Sequence, residues 1–230
     1  MASFGVVILT AAPGTGGSDG AGALVKIDGR EALLRSVELF LNRDPVKQIQ
    51  LVVLPDDLEE AKRKFGPHLS FSGVKVIGGG PRWGDQLAAA VQKLSADVTH
   101  VIVHDGARPL VPYSDIDVLM EAAETNSAVV LTAPVRAELI QVDGSGHPLQ
   151  LYRPDEFVQL LTPQAYSRQR FIEIASGHEW SPVHATLLKG SPLNIRVRGA
   201  ADAALAKSLM GLLPKPKVRP PSSPFEEAQW

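Results

Sequence analysis

The chain has 230 residues, with 23 basic and 25 acidic side chains, a formal net charge of −2, 44% hydrophobic residues and no cysteine. Without thiols a disulfide framework, thiolate metal sites and thiol nucleophiles are excluded, and the near-neutral charge removes the electrostatic reason to expect a nucleic acid or an anionic membrane as partner. The length suits one domain at 1–213, followed by a proline-rich, flexible tail at 214–230.

Residues 1–10 show no basic segment ahead of their apolar run, so no targeting peptide is expected. No stretch approaches the roughly 18 apolar residues of a membrane helix, and a cytoplasmic protein is expected. Short, β-branched apolar runs predict strands at 4–10, 48–54, 74–77, 99–104, 128–132 and 193–197. Between and after them, helical periodicity predicts helices at 31–41, 58–64, 84–94, 113–125, 168–176 and 200–212. In the first helix Leu33, Val37, Phe40 and Leu41 share one face and Glu38 points away from it. This alternation predicts an α/β fold, a mostly parallel sheet with helices on both faces. It places the loop after Thr10 at the carboxyl edge of the sheet, where ligands of such folds bind. Residues 136–160 interrupt the pattern. The turn Asp143-Gly144-Ser145-Gly146 between two short apolar runs predicts a hairpin arm too small for its own core, which needs another subunit or the main sheet to cover it.

Two segments carry candidate chemistry. The first loop, 11–22, holds five glycines in twelve residues, and glycine lets backbone amides approach a phosphate or a base closely. It matches neither common fingerprint: Asp19 stands where the third glycine of G-x-G-x-x-G belongs, and no Gly-Lys-Ser/Thr follows. A nucleotide cradle and an unliganded flexible loop both remain open. The second segment is His104-Asp105-Gly106-Ala107-Arg108-Pro109, at the end of an apolar run. There Asp105 would share magnesium with nucleotide phosphates or simply cap the next turn, and Arg108 would pair with Asp105 or with a phosphate. Trp83, beside the glycines at 78–80, would stack on a base or pack against the core.

Several motifs fall in order: Ala11-Ala12, Gly78-Gly79 with Arg82, Val103-His104-Asp105-Gly106-Ala107-Arg108-Pro109, Leu161-Thr162-Pro163-Gln164, and Gly190-Ser191-Pro192-Leu193-Asn194-Ile195. Together they resemble the 2-C-methyl-D-erythritol 4-phosphate cytidylyltransferase family of isoprenoid biosynthesis. The resemblance implies a Rossmann-like nucleotidyltransferase fold and a homodimer joined through the 136–160 arm. It also implies magnesium with CTP, and attack of a sugar or polyol phosphate on the α-phosphate with release of pyrophosphate.

Carried over by position, it implies that Ala11, Ala12, Gly14, Gly16, Gly17, Gly79, Gly80, Arg82, Asp85, Gly106 and Arg108 bind the nucleotide. Asp105 would be the nucleotide and metal ligand, and Thr162, Arg153 and Arg196 would hold the acceptor phosphate. The family's phosphate-holding arginine and lysine of the first loop fall on Gly16 or Gly17 and on Gly22, which leaves Lys26 as the candidate replacement beside Arg196 and Asp105 in catalysis. Positioned cations supply much of phosphoryl-transfer catalysis. Three outcomes therefore stay open: a cytidylyltransferase, a catalytically impaired nucleotide-binding or regulatory homologue, or a transferase of altered nucleotide or acceptor choice.

Overall fold

The structure, a computed structural model, describes residues 2–11, 21–177 and 184–214. Its first strand, β1 (Phe4–Leu9), is buried along its whole length, because both faces of the sheet are covered and no polar alternation is needed. A short helix α1 (Ala21–Leu24) and two two-residue strands, β2 (Lys26–Ile27) and β3 (Arg30–Glu31), lead into α2 (Ala32–Glu38). There Leu33 and Val37 face the core, while Glu38 faces outward to pair with Arg30. Next come β4 (Val46–Val53), α3 (Leu58–Phe71), β5 (Val74–Gly78), α4 (Trp83–Val91), β6 (His100–Asp105), α5 (Tyr113–Ala123) and β7 (Ala128–Pro134). After the hairpin of β8 (Leu139–Val142) and β9 (Pro148–Tyr152), the chain returns through β10 (Val158–Ser167), α6 (Arg168–Ala175), β11 (Thr186–Lys189) and α7 (Ala200–Met210).

The seven-stranded sheet runs β11-β7-β10-β6-β1-β4-β5. β10 is antiparallel to both its neighbours, and the other pairings are parallel. Val6 and Ile8 of β1 point into one apolar layer with Leu33, Val37, Phe65, Ile116 and Leu119, while Val7 and Leu9 point into the other with Leu87, Ala90 and Phe171. The expected α/β sheet covered on both faces is thus the observed fold.

The short elements α1, β2 and β3 and the edge strand β11 were not expected from sequence, and three further elements differ, each for a physical reason. α3 runs through Pro67 to Phe71 instead of stopping at residue 64; Phe65 and Leu69, four residues apart, are both buried in the core and hold the helix there. β10 was not expected. It enters between β7 and β6, and its pairing register shifts between Leu160 and Gln164. The strand expected at 193–197 does not join the sheet. Its backbone instead meets the loop after β6: Arg108 Nη1 donates to the Asn194 carbonyl at 2.8 Å, and the Val197 amide donates to the Ala107 carbonyl at 2.8 Å.

The hairpin forms around its predicted turn, where Asp143 Oδ1 accepts from the amides of Ser145 and His147 at 2.8 and 2.9 Å. Its apolar side chains Ile140, Val142, Leu149 and Leu151 are exposed, as expected of an arm without a core of its own. Pro214 ends the described chain, and the rest of the proline-rich tail, 215–230, lies outside the described residues. No helix among the described residues is long and apolar enough to cross a membrane.

Candidate functional site

The carboxyl ends of β1, β5 and β6 bring two groups of residues side by side. Leu9 and Asp105 are register partners, and the Gly106 amide donates to the Leu9 carbonyl at 2.8 Å. The loop after β6 therefore starts directly beside the loop after β1. Position 106 is tight: a Cβ there would lie 2.7 Å from Leu33 Cδ1 and 3.1 Å from the Leu9 carbonyl oxygen, so its neighbours would have to give.

The first group surrounds the start of the first loop. Gln86 of α4 is fully buried, and its Oε1 accepts from the amides of Thr10 and Ala11 at 3.0 and 3.1 Å, while its Nε2 donates to Thr10 Oγ1 at 3.2 Å. Gln86 also backs the loop after β5, since a Cβ on Gly79 would meet Val52 Cγ1 at 2.6 Å and Gln86 Cα at 3.0 Å. Gly80 lies against Asp85, whose carboxylate takes both Arg82 Nε and Nη2 at 3.0 Å and the Arg82 amide at 3.2 Å. This capping box at the start of α4 holds Asp85 below the usual carboxylate range, chiefly through its hydrogen bond to Arg82. Ala11, Gly79, Gly80, Arg82 and Asp85 thus assemble on one side. Trp83 is half-buried and packs against the layer of Leu87 and Phe171. Ala12, Gly14, Gly16 and Gly17 lie outside the described residues.

The second group centres on Asp105, which is fully buried. Its Oδ1 accepts from the Ala107 amide at 2.9 Å, its Oδ2 accepts from Arg196 Nε at 2.7 Å, and Arg108 Nε lies 3.7 Å from the same Oδ2. Burial pulls Arg108 below the ordinary arginine value; Asp105 opposes this, and Arg196 and Arg198 add to it.

Beneath these charges runs a chain of neutral groups. His104 Nε2 faces the Arg108 carbonyl at 3.1 Å, and since a carbonyl only accepts, Nε2 carries the proton. Nδ1 then accepts the Thr162 hydroxyl proton at 3.2 Å, and Thr162 Oγ1 in turn accepts from the Asp105 amide at 3.1 Å. Burial holds the imidazole neutral, with its pKa pushed down to about 3. Asn194 closes the cluster by donating from Nδ2 to the Thr162 carbonyl at 2.7 Å.

Four of the expected site residues are placed as follows. Thr162 is in the cluster, where its hydroxyl meets His104 Nδ1 and accepts from the Asp105 amide. Lys26 is exposed on β2 opposite Glu31, on which its charge acts, and makes no contact with the Asp105 cluster. Arg153 pairs with Asp155 at 2.6 Å on the exposed arm and is not brought to the cluster. Asp105 is no open metal ligand: a single carboxylate already engaged by a backbone amide and a guanidinium, with a second guanidinium close by, does not fit a resident magnesium ion, which prefers several oxygen donors and water. No group of three or more His, Cys, Asp or Glu side chains suited to a metal occurs among the described residues.

Gln86, His104 and Asn194 were given no role from sequence. The signal for Gln86 is a polar residue next to Leu87 on the buried side of a helix, and for His104 an imidazole inside an apolar strand.

The model of the family described as 2-C-methyl-D-erythritol 4-phosphate cytidylyltransferase matches residues 5–211. The enzyme of that name from Vibrio atlanticus is 30% identical over 206 residues, covering 80% of this chain and 84% of its own length. That from Rhodopirellula baltica is 27% identical over 230 residues, covering 89% and 94%. The bifunctional enzyme IspD/IspF of Rhizobium leguminosarum is 26% identical over 237 residues, and although the match covers 94% of this chain, it spans only 58% of that longer protein. Among solved structures, 2-C-methyl-D-erythritol 4-phosphate cytidylyltransferase from Thermus thermophilus aligns with a TM-score of 0.68 at 23% identity, covering 89% of this chain and 98% of its own. The 4-diphosphocytidyl-2C-methyl-D-erythritol synthase of Anaerococcus prevotii aligns with a TM-score of 0.72 at 16% identity, covering 91% and 96%. These two carry the fold.

Proposed function

The chain belongs to the 2-C-methyl-D-erythritol 4-phosphate cytidylyltransferase family, and from that premise we propose that it transfers CMP from CTP to a sugar or polyol phosphate, 2-C-methyl-D-erythritol 4-phosphate by preference. In this reading an acceptor phosphate oxygen attacks the α-phosphorus, the bond to the β-phosphate bridging oxygen breaks, and pyrophosphate leaves. Ala11, Gly79 and Gly80 take the base and sugar, backed by Gln86. Arg108 and Arg196 meet the phosphates, and Asp105 orients both guanidiniums. The observation that carries the reading is this Asp105, Arg108 and Arg196 cluster, set at the sheet's carboxyl edge beside the first loop. Fixed cations act there from a partly buried site, where they need little reorganisation as charge develops. Magnesium belongs to this reading as the ion accompanying the triphosphate, not as a resident of the chain. We further read the protein as a cytoplasmic homodimer that covers the apolar arm.

A pyrophosphate-release assay with CTP, UTP, ATP and GTP, each offered methylerythritol phosphate and ribitol phosphate, tests the activity. Turnover with CTP and methylerythritol phosphate is expected. Gly22, in place of the family's loop lysine, favours a second reading, a homologue that binds the nucleotide without turning it over. CTP binding with no pyrophosphate from any acceptor would select that reading over the first.

A further inference from the structure

The position of the missing loop lysine is not open space. A Cβ on Gly22 would lie 2.3 Å from the Val197 carbonyl oxygen and 3.3 Å from Ala107 Cβ, so no side chain fits there and the Val197 backbone occupies the place. Val197 is fixed by its amide on the Ala107 carbonyl and by a fully buried side chain packed with Ile27 and Leu110. The residues flanking it are both arginines.

Arg196, half-buried, and Arg198, exposed, flank Val197, which turns to the core. Arg196 reaches Asp105. Arg198 is 71% exposed; its amide and Nε hold Asp202 Oδ2 at 2.9 and 3.2 Å, which leaves its two terminal nitrogens without a hydrogen bond among the described residues. Both arginines raise the positive potential at Arg108, and the three guanidiniums are offset by two carboxylates, Asp105 on Arg196 and Asp202 on Arg198. The resulting positive excess sits where the chain passes Gly22.

We propose that Arg198, carried beside Arg196 on the segment packed against Gly22, supplies the phosphate-directed charge that the glycine-rich first loop lacks, and that its ligand is the polyphosphate chain of a nucleoside triphosphate. The inference rests on the transferase reading for the nucleoside; the polyphosphate site stands on the geometry of 22, 108, 196 and 198.

The test is calorimetric titration of the full chain with inorganic tripolyphosphate, CTP and cytidine. Arg198→Ala is expected to weaken tripolyphosphate and CTP about tenfold or more, the scale of one charge-assisted hydrogen bond, and to leave cytidine unchanged. Asp202→Asn, which removes the competing carboxylate, is expected to tighten tripolyphosphate about threefold, a modest surface-charge effect, and decides the matter if the alanine variant fails to fold. Equal tripolyphosphate affinity in the wild type and both variants, or no tripolyphosphate binding by the wild type, overturns the inference. Arg198-dependent tripolyphosphate binding without pyrophosphate release would leave this site standing and sink the transferase reading. Turnover of CTP with Arg198-independent binding would do the reverse.

Discussion

Replacing His104 by Asn removes the buried imidazole yet keeps an oxygen near Nδ1 to accept the Thr162 hydroxyl proton. The folded protein holds His104 at a pKa of about 3, against 6.5 for the free side chain. Because the folded value is depressed, the stabilisation is complete above pH 6.5 and is lost as the pH falls toward 3, while the unfolded chain takes up a proton that the folded chain refuses. Between pH 7 and pH 5 this one group removes about 2 kcal/mol from the wild type, and the asparagine variant has no such loss. The variant starts less stable at pH 7, since it gives up the donor to the Arg108 carbonyl and the edge contact with Phe40. The gap between the two proteins should therefore narrow by about 2 kcal/mol on acidification, with other titrating groups common to both. Urea unfolding followed by tryptophan fluorescence at pH 7, 6 and 5 measures it. A gap that stays constant over this range would mean that His104 titrates alike in both states, and the neutral chain from Asp105 through Thr162 to Arg108 would have to be abandoned.

Gly106→Ala is expected to lower stability by about 1–3 kcal/mol, because its Cβ would press on Leu33 and the Leu9 carbonyl; an unchanged thermal midpoint would refute the close approach. Gln86→Leu leaves the Ala11 amide without its acceptor and the Thr10 amide with only the Val52 carbonyl at 3.3 Å, at a cost of about 1–3 kcal/mol in urea unfolding. It should also weaken CTP more than tripolyphosphate, since Gln86 backs the base side. Light scattering should give a dimer for the full chain and a monomer for a variant lacking residues 139–152; a dimer in both would remove the arm from the interface.

Most of the sheet was legible because its strands are buried on both faces and so appear as uninterrupted apolar runs, β1 and β6 above all. β10 was hidden. Its first three residues are exposed, Pro163 interrupts it, and its partners are set by the mixed sheet, not by its own pattern. Within the site, Asp105, Arg108 and Arg196 could be named from their motifs, but their mutual pairing could not, since it depends on two segments about ninety residues apart in sequence meeting at one edge. For the same reason the hydrogen bonds of Thr162 to His104 and the Asp105 amide could not be read: sequence shows a hydroxyl, not its neighbours.

The misplaced strand at 193–197 is the most instructive of these. Val197 is buried as its apolar run implied, but such a run does not by itself name a sheet partner. Here the partner is the loop after β6 and the glycine at 22. A reading confined to the first loop finds two cations missing and expects a weakened phosphate site. Yet the Coulomb interaction depends on distance and surroundings and is indifferent to which segment carries the charge. A glycine that lets Val197 close over the lysine's place also brings a flanking pair of arginines to it. The net charge of −2 is silent on such an exchange, because it sums over the whole chain what the site uses locally.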